Sequence, residues 1–414
     1  MLLVLAGGAS VRAQEPPDAA DLINTLLDGL LGFRTLTGPE LEAEVAEVGG
    51  VPFRAQVPLD FMSRSELARY LHAVFDDEYP VEKARIDQRA LGALGLLPPD
   101  LDLRRLRADL LEQNIAGFYD ERPGRKRLYA VSDDKRLTPF NQIVLSHELR
   151  HALQDQYAEI HRVLPESVGD YDDRRLAYLS LLEGDATLVM ERFLLRLLPV
   201  GEEPGRGAGP SLAGLSLPGL DLPGAPPVVR DQLVQPYLVG RDFAQVVQKR
   251  RGWGALKDAW GRPPASTEQV LHPEKFFEGE TPRPVGLSFS APGGRLLVEG
   301  VLGELLLRSW LGEGQEVAAE GWGGDRFQVW DVRGKTLLVW RLVWDSPRDA
   351  DEFETSALAR LRGWGQPLPP RGECRTFEAK PWRLAFGRRA GGFDYVSSDD
   401  PALVDLAVKA LAQP

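Results

Sequence analysis

The chain has 414 residues, 43% of them hydrophobic, which is more than one ordinary domain needs and enough for at least one sizeable core. Its formal net charge of -12 argues against a broad basic surface for nucleic acid or anionic lipid. Beyond the leader, no segment reaches the ~18 unbroken apolar residues of a membrane span, and the single cysteine, Cys374, rules out an intramolecular disulfide.

Residues 1–14, MLLVLAGGASVRAQ, form a short apolar run followed by Val11-Arg12-Ala13, with small or modest residues where a signal peptidase would read them. A signal peptide and export are the expectation, and the absence of a following cysteine speaks against a lipid anchor. Residues 18–31 read as a short amphipathic helix, and Ser63-Arg-Ser-Glu66 reads as a capping box opening a helix to about Phe75. Two β-prone runs, 115–119 and 127–131, flank Pro123-Gly124 and predict a hairpin. A helix follows over about 140–160, with Thr138 as its cap and Pro139 at its first position.

A second long helix is expected over 176–198, then a Gly/Pro-rich loop over 199–227, then helical sequence over 230–251. Residues 278–284 mark a boundary. Beyond it, strands at 327–330 and 336–344 alternate with helices at 302–311 and 350–361. The prediction is therefore an α+β protein: a mainly helical domain over 15–283 and a smaller α+β domain over 284–414.

The strongest chemical pattern is His147-Glu148-Leu149-Arg150-His151. Two imidazoles four residues apart on a helix share a face and can bind one Zn2+, with Glu148 beside the metal as general base toward water. Phe140, Val144, His147 and His151 fall on one stripe, so the histidines should face the interior. The edge of the preceding hairpin could align an extended peptide. The competing reading is two satisfied core histidines and a surface carboxylate.

A catalytic zinc needs a third protein ligand. Gln154 and Tyr157 stand where a metzincin would carry Gly and His, so that arrangement is excluded. On the next helix the stripe Leu176, Leu179, Glu183, Ala186, Met190, Phe193 holds one acid among apolar residues, and Glu183 is the candidate. Gly184 would let the two helices approach closely. The alternative pairs Glu183 with Arg150 or Arg192.

Glu183-Gly184-Asp185-Ala186 resembles the Glu-Gly-x-Ala segment that carries the third zinc ligand in aminopeptidase-type gluzincins. About thirty residues separate it from His151, more than in the thermolysin-like pattern, and Thr187 stands where those enzymes place a supporting Asp. Asp155 or Asp185 could orient a ligand histidine instead. The wider chain resembles a group of exported bacterial proteins with a Gly-Phe-Tyr-Asp hairpin (117–120), a His-Glu-Leu-x-His-Ala-Leu-Gln-Asp-Gln helix (147–156) and Glu-Gly-Asp-Ala (183–186). That group also carries segments like Ser266 to Lys275 and Gly321 to Arg326. The resemblance implies a minimal zincin-like, gluzincin-type peptidase domain acting on a peptide or protein.

By the same resemblance, a His and a Tyr would stabilise an oxyanion, and His272 with Tyr237 could fill that role; His272 could equally pack the turn at Pro273. Trp322, Trp330, Trp340 and Trp344 sit on strands, where a core role is favoured over an exposed binding face. The expected activity is zinc-dependent peptide hydrolysis. Its rivals are a zinc-stabilised binding or assembly protein of the cell envelope without catalysis and a hydrolase of other bonds.

Overall fold

The computed structural model describes residues 35–111, 116–164, 171–197, 222 and 224–412. The expected leader, the helix at 18–31 and nearly all of the Gly/Pro-rich loop lie outside the described residues. The fold is mixed α+β. No helix among the described residues is long and apolar enough to cross a membrane.

The N-terminal part is helical around a small sheet. Helix α1 (Gly38–Val48) is followed by β1 (Leu59–Met62), α2 (Arg64–Glu78), α3 (Val81–Ala93) and α4 (Leu103–Leu111). Ser63 caps α2 through the expected box with Glu66. The hairpin forms between β2 (Gly117–Asp120) and β3 (Arg127–Val131), and β1 joins β3 in parallel, giving the order β1-β3-β2. Three long helices follow: α5 (Pro139–Ala158), α6 (Asp173–Leu197) and α7 (Pro227–Trp260). Gly252, at φ 77, breaks α7 where the sequence pattern ends.

Gly184 does not serve the approach of α5 to α6 as expected. A Cβ there would lie 1.9 Å from the Gly240 carbonyl carbon, and one on Gly240 would lie 1.9 Å from the Ser180 oxygen. The two glycines therefore let α6 and α7 cross in backbone contact.

After the short helices α8 (Thr267–Leu271) and α9 (Pro273–Glu278), the chain builds a seven-stranded antiparallel sheet in the order β4-β5-β6-β10-β9-β8-β7. Its strands are β4 (Arg295–Gly300), β5 (Trp322–Val332), β6 (Lys335–Trp344), β7 (Gln366–Arg371), β8 (Cys374–Ala379), β9 (Trp382–Arg389) and β10 (Gly392–Ser398). Helix α10 (Gly303–Leu311) precedes β5, α11 (Pro347–Trp364) follows β6, and α12 (Pro401–Leu411) closes the fold. Of these strands the sequence pattern revealed only β5 and β6. Strand β7, QPLPPR, carries three prolines and sits at the sheet edge, where missing ladder donors are tolerated.

Alternation along β6 splits its side chains between two cores. Leu337 and Val339 pack with Val404 and Ala407 of α12, while Leu338, Trp340 and Leu342 face α3, α10 and α11. Trp322, Trp330, Trp340 and Trp344 are all buried, so they are core residues.

Residues on both sides of position 284 share the larger core. The C-terminal end of α3 is capped from the sheet side: Trp310 Nε1 donates to the Leu94 carbonyl at 3.0 Å, Tyr395 to that of Ala93 at 3.1 Å, and Arg360 to that of Gly95 at 3.0 Å. The segments 266–275 and 321–326 belong to this junction. Thr267 donates to Asp173 through its amide (2.8 Å) and its hydroxyl (2.6 Å) and accepts from the Leu305 amide across position 284 (3.1 Å), while the Arg283 amide donates to the Gly323 carbonyl (2.7 Å) and Asp325 accepts from the Leu302 amide (3.0 Å) and Trp340 Nε1 (2.7 Å).

Candidate metal centre

Helix α5 starts as its sequence predicts. The Asn141 amide donates to the Thr138 hydroxyl at 3.1 Å, and the Asn141 side chain accepts from the Thr138 amide at 3.1 Å. The expected inward stripe proves too narrow a description, because every residue from Pro139 to Asp155 is buried. The helix is enclosed by the hairpin, α1, α6 and α7. A charged or polar side chain at any of these positions must then find its partners inside the protein.

His147, His151 and Glu183 meet there. Their ligand atoms lie within 4.8 Å of one another. His147 Nε2 is 3.0 Å from Glu183 Oε2, His151 Nε2 is 3.3 Å from the same oxygen, and the two Nε2 atoms are 2.9 Å apart. All three residues are at most 1% exposed. Neither arginine considered as a partner for Glu183 takes it: Arg150 forms a bidentate pair with Asp185 at 2.8 and 2.9 Å, and Arg192 donates to Gln248 at 2.7 Å.

The support of His151 runs through Gln154, a residue whose sequence position only excluded a metzincin pattern. Gln154 Oε1 lies 2.8 Å from His151 Nδ1, while Gln154 Nε2 donates to the Leu182 carbonyl and to Asp185 Oδ2, both at 3.0 Å. With its amide nitrogen committed to two acceptors, Gln154 turns its oxygen to the histidine, so Nδ1 carries a proton and Nε2 is the nitrogen turned toward Glu183. Asp185 thus orients His151 indirectly, and it also accepts from Trp260 Nε1 at 2.9 Å. Asp155 does other work: it accepts from the Tyr119 hydroxyl and pairs with Lys126, both at 2.9 Å. His147 Nδ1 and Thr187 Oγ1 are buried with no hydrogen-bond partner among the described residues.

Glu148 is fully buried beside this group. Its Oε2 accepts the Tyr119 amide at 2.9 Å, and its Oε1 has no hydrogen-bond partner among the described residues. Burial pushes its carboxyl up to about 8, against the pull of His151. At Glu183 burial also raises the carboxyl, but the two histidines outweigh it and hold Glu183 ionised. The hairpin also serves the site directly. Strand β2 is a sheet edge, and its Tyr119 amide is taken by Glu148.

Tyr237 on α7 joins the group. Its ring stacks on that of His147 at 6.0 Å, and its buried phenol is hydrogen-bonded to Glu183 and held protonated by burial and the nearby carboxylates. The structure does not bring His272 with it. That residue lies at the α8–α9 junction with Nε2 3.0 Å from Glu304 Oε1, consistent with packing at Pro273 rather than oxyanion contact. A cavity of about 510 Å³ opens beside the centre, with Glu183 and Tyr237 in its wall and His272 outside it.

Residues 294–405 match a family model described as Domain of unknown function (DUF8575). That stretch covers the C-terminal sheet from β4 to the start of α12 and contains none of His147, Glu148, His151, Glu183 or Tyr237. No curated protein and no solved structure matches the chain.

The donor set suits a transition-metal ion. Two imidazole nitrogens and one carboxylate oxygen converge in a buried site, Gln154 engages Nδ1 of His151 and leaves Nε2 turned inward, and no lysine or arginine among the described residues pairs with Glu183.

Proposed function

We propose that this chain is an exported zinc-dependent peptidase of the gluzincin kind, with His147, His151 and Glu183 as the ligands and Glu148 as the general base. The observation that carries this reading is the convergence of three ligand atoms next to a buried carboxylate with one free oxygen. Zinc on such a set supplies Lewis acidity, lowering the pKa of water and polarising a peptide carbonyl.

The protein's own residues supply the rest. The Tyr119 amide fixes one oxygen of Glu148, leaving Oε1 to take a proton from the attacking water and pass it to the departing amine. Tyr237 is protonated and buried against Glu183 and His147; with Glu183 engaged as a ligand, its hydroxyl would be free to turn from that carboxylate and donate to the oxygen that gains charge as the carbonyl is attacked. Gln154, braced by Asp185, holds His151 in its ligating tautomer.

The test combines metal analysis of the purified chain with cleavage of a peptide library by wild type and Glu148→Gln. One zinc per chain and chelator-sensitive cleavage, lost in Glu148→Gln with zinc retained, are expected. Zinc without turnover of any peptide would favour the zinc-stabilised binding or assembly protein instead.

A further inference from the structure

We infer that the C-terminal sheet region forms the specificity wall of the active chamber and receives a large apolar side chain of the peptide, next to the scissile bond. The inference rests on the peptidase reading above and extends it to a substrate class and to the role of the segment matching DUF8575.

The cavity of about 510 Å³ lies between the two parts of the chain. Its volume is in the range of pockets that enclose most of a ligand. On α6 it is lined by Leu176, Leu179 and Glu183, which share one helix face. At 1.5 Å per residue the chamber runs about 10 Å along α6 from the zinc ligand, the reach of roughly three residues of extended peptide. Leu179 stands about one helical turn from Glu183. Away from α6, apolar lining comes from Phe75 on α2, Leu91 on α3, Leu110 on α4 and Leu233 on α7, and the C-terminal region adds Val301, Leu302, Leu306 and Phe327. Val301, Leu306 and Leu179 are only partly buried, although neighbours such as Leu307 and Leu181 are fully enclosed. Their uncovered surface is the part that an apolar side chain would remove from water.

The charges in the wall explain why an apolar group is selected over an ionic one. Asp87 accepts from the hydroxyls of Tyr79 and Tyr171, and Arg107 donates to Gln232 at 3.0 Å and lies 3.6 Å from Asp87. Asp172 is held by Arg174, and Asp173 by Thr267. Glu78, Lys83 and Arg175 also have interactions of their own. A charged side chain entering the chamber would lose hydration and could meet only the Arg107 Nε, which is buried with no hydrogen-bond partner among the described residues, whereas an apolar one loses little.

The test uses the zinc-loaded full chain and paired peptides that differ only in Phe or Ala beside the cleaved bond. Wild type should prefer Phe, and Leu306→Trp, which fills the chamber, should reduce the Phe-over-Ala ratio of kcat/KM about tenfold or more with zinc content unchanged. An unchanged ratio would overturn the inference. If Leu306→Trp fails to fold, Leu306→Ala should shift preference toward bulkier side chains, and an unaltered profile would equally overturn it.

A binding measurement separates this inference from the peptidase reading. A dansyl-labelled Phe peptide should bind Glu148→Gln more weakly once Leu306→Trp is added. If wild type cleaves nothing but this difference is seen, the wall stands and the peptidase reading fails. Identical binding would remove the wall.

Discussion

Two groups of acidic side chains in this molecule have opposite electrostatic designs. Glu268, Glu280 and Asp345 surround the Lys275 ammonium at 2.7, 2.7 and 2.9 Å, at a surface where two of the three acids are exposed. His147, His151 and Glu183 are buried, and the cation closest in sequence, Arg150, is committed to Asp185 between two tryptophan rings. The first group includes its own positive charge and is complete. The second places one carboxylate against two imidazole nitrogens in a buried interior, an arrangement that a divalent cation would stabilise. What separates the two groups is the lysine that the first contains and the second lacks among the described residues.

Four substitutions bear on that contrast. Glu148→Gln has the largest expected effect on rate, a loss of about 10²- to 10⁴-fold in kcat, with zinc content unchanged. Steady-state kinetics beside metal analysis would check it; loss of zinc would mean that Glu148 has a structural role. Asp185→Ala leaves the Arg150 guanidinium buried without its partner and should cost about 3–5 kcal/mol in chemical unfolding. A cost near zero would show that Arg150 is not confined as described.

Gln154→Ala should weaken zinc about 10- to 100-fold in a competition titration while leaving the Arg150–Asp185 pair in place. The smallest effect is expected from Lys275→Ala: about 1–2 kcal/mol of stability once screening at the exposed acids is allowed for, with no change in zinc content or kcat. A loss of zinc in that variant would erase the distinction between the two groups.

The two parts of the chain also differ in how much their sequence revealed. The α5 site was readable because its chemistry is local: a four-residue spacing places both histidines on one helix face, and Thr138-Pro139 announces the start. Glu183 was readable as one acid on an apolar stripe. What failed depended on which element lies opposite. Gly184 meets α7 rather than α5, and His272 meets Glu304 rather than the metal group. Gln154 is only three residues beyond His151, but its importance comes from Asp185 and Leu182 on another helix. In the C-terminal sheet, alternation exposed β5 and β6. Prolines disguised β7, and arginines at Arg383, Arg388 and Arg389 broke the apolar pattern of β9.

The most direct measurement of the central claim is the zinc content of purified wild type beside Glu183→Ala. The account predicts one zinc per chain in wild type and an affinity reduced in the variant by more than the roughly 100-fold expected from losing a supporting group. A wild-type chain that takes up no stoichiometric zinc, or a Glu183→Ala chain that holds it equally well, would contradict the account.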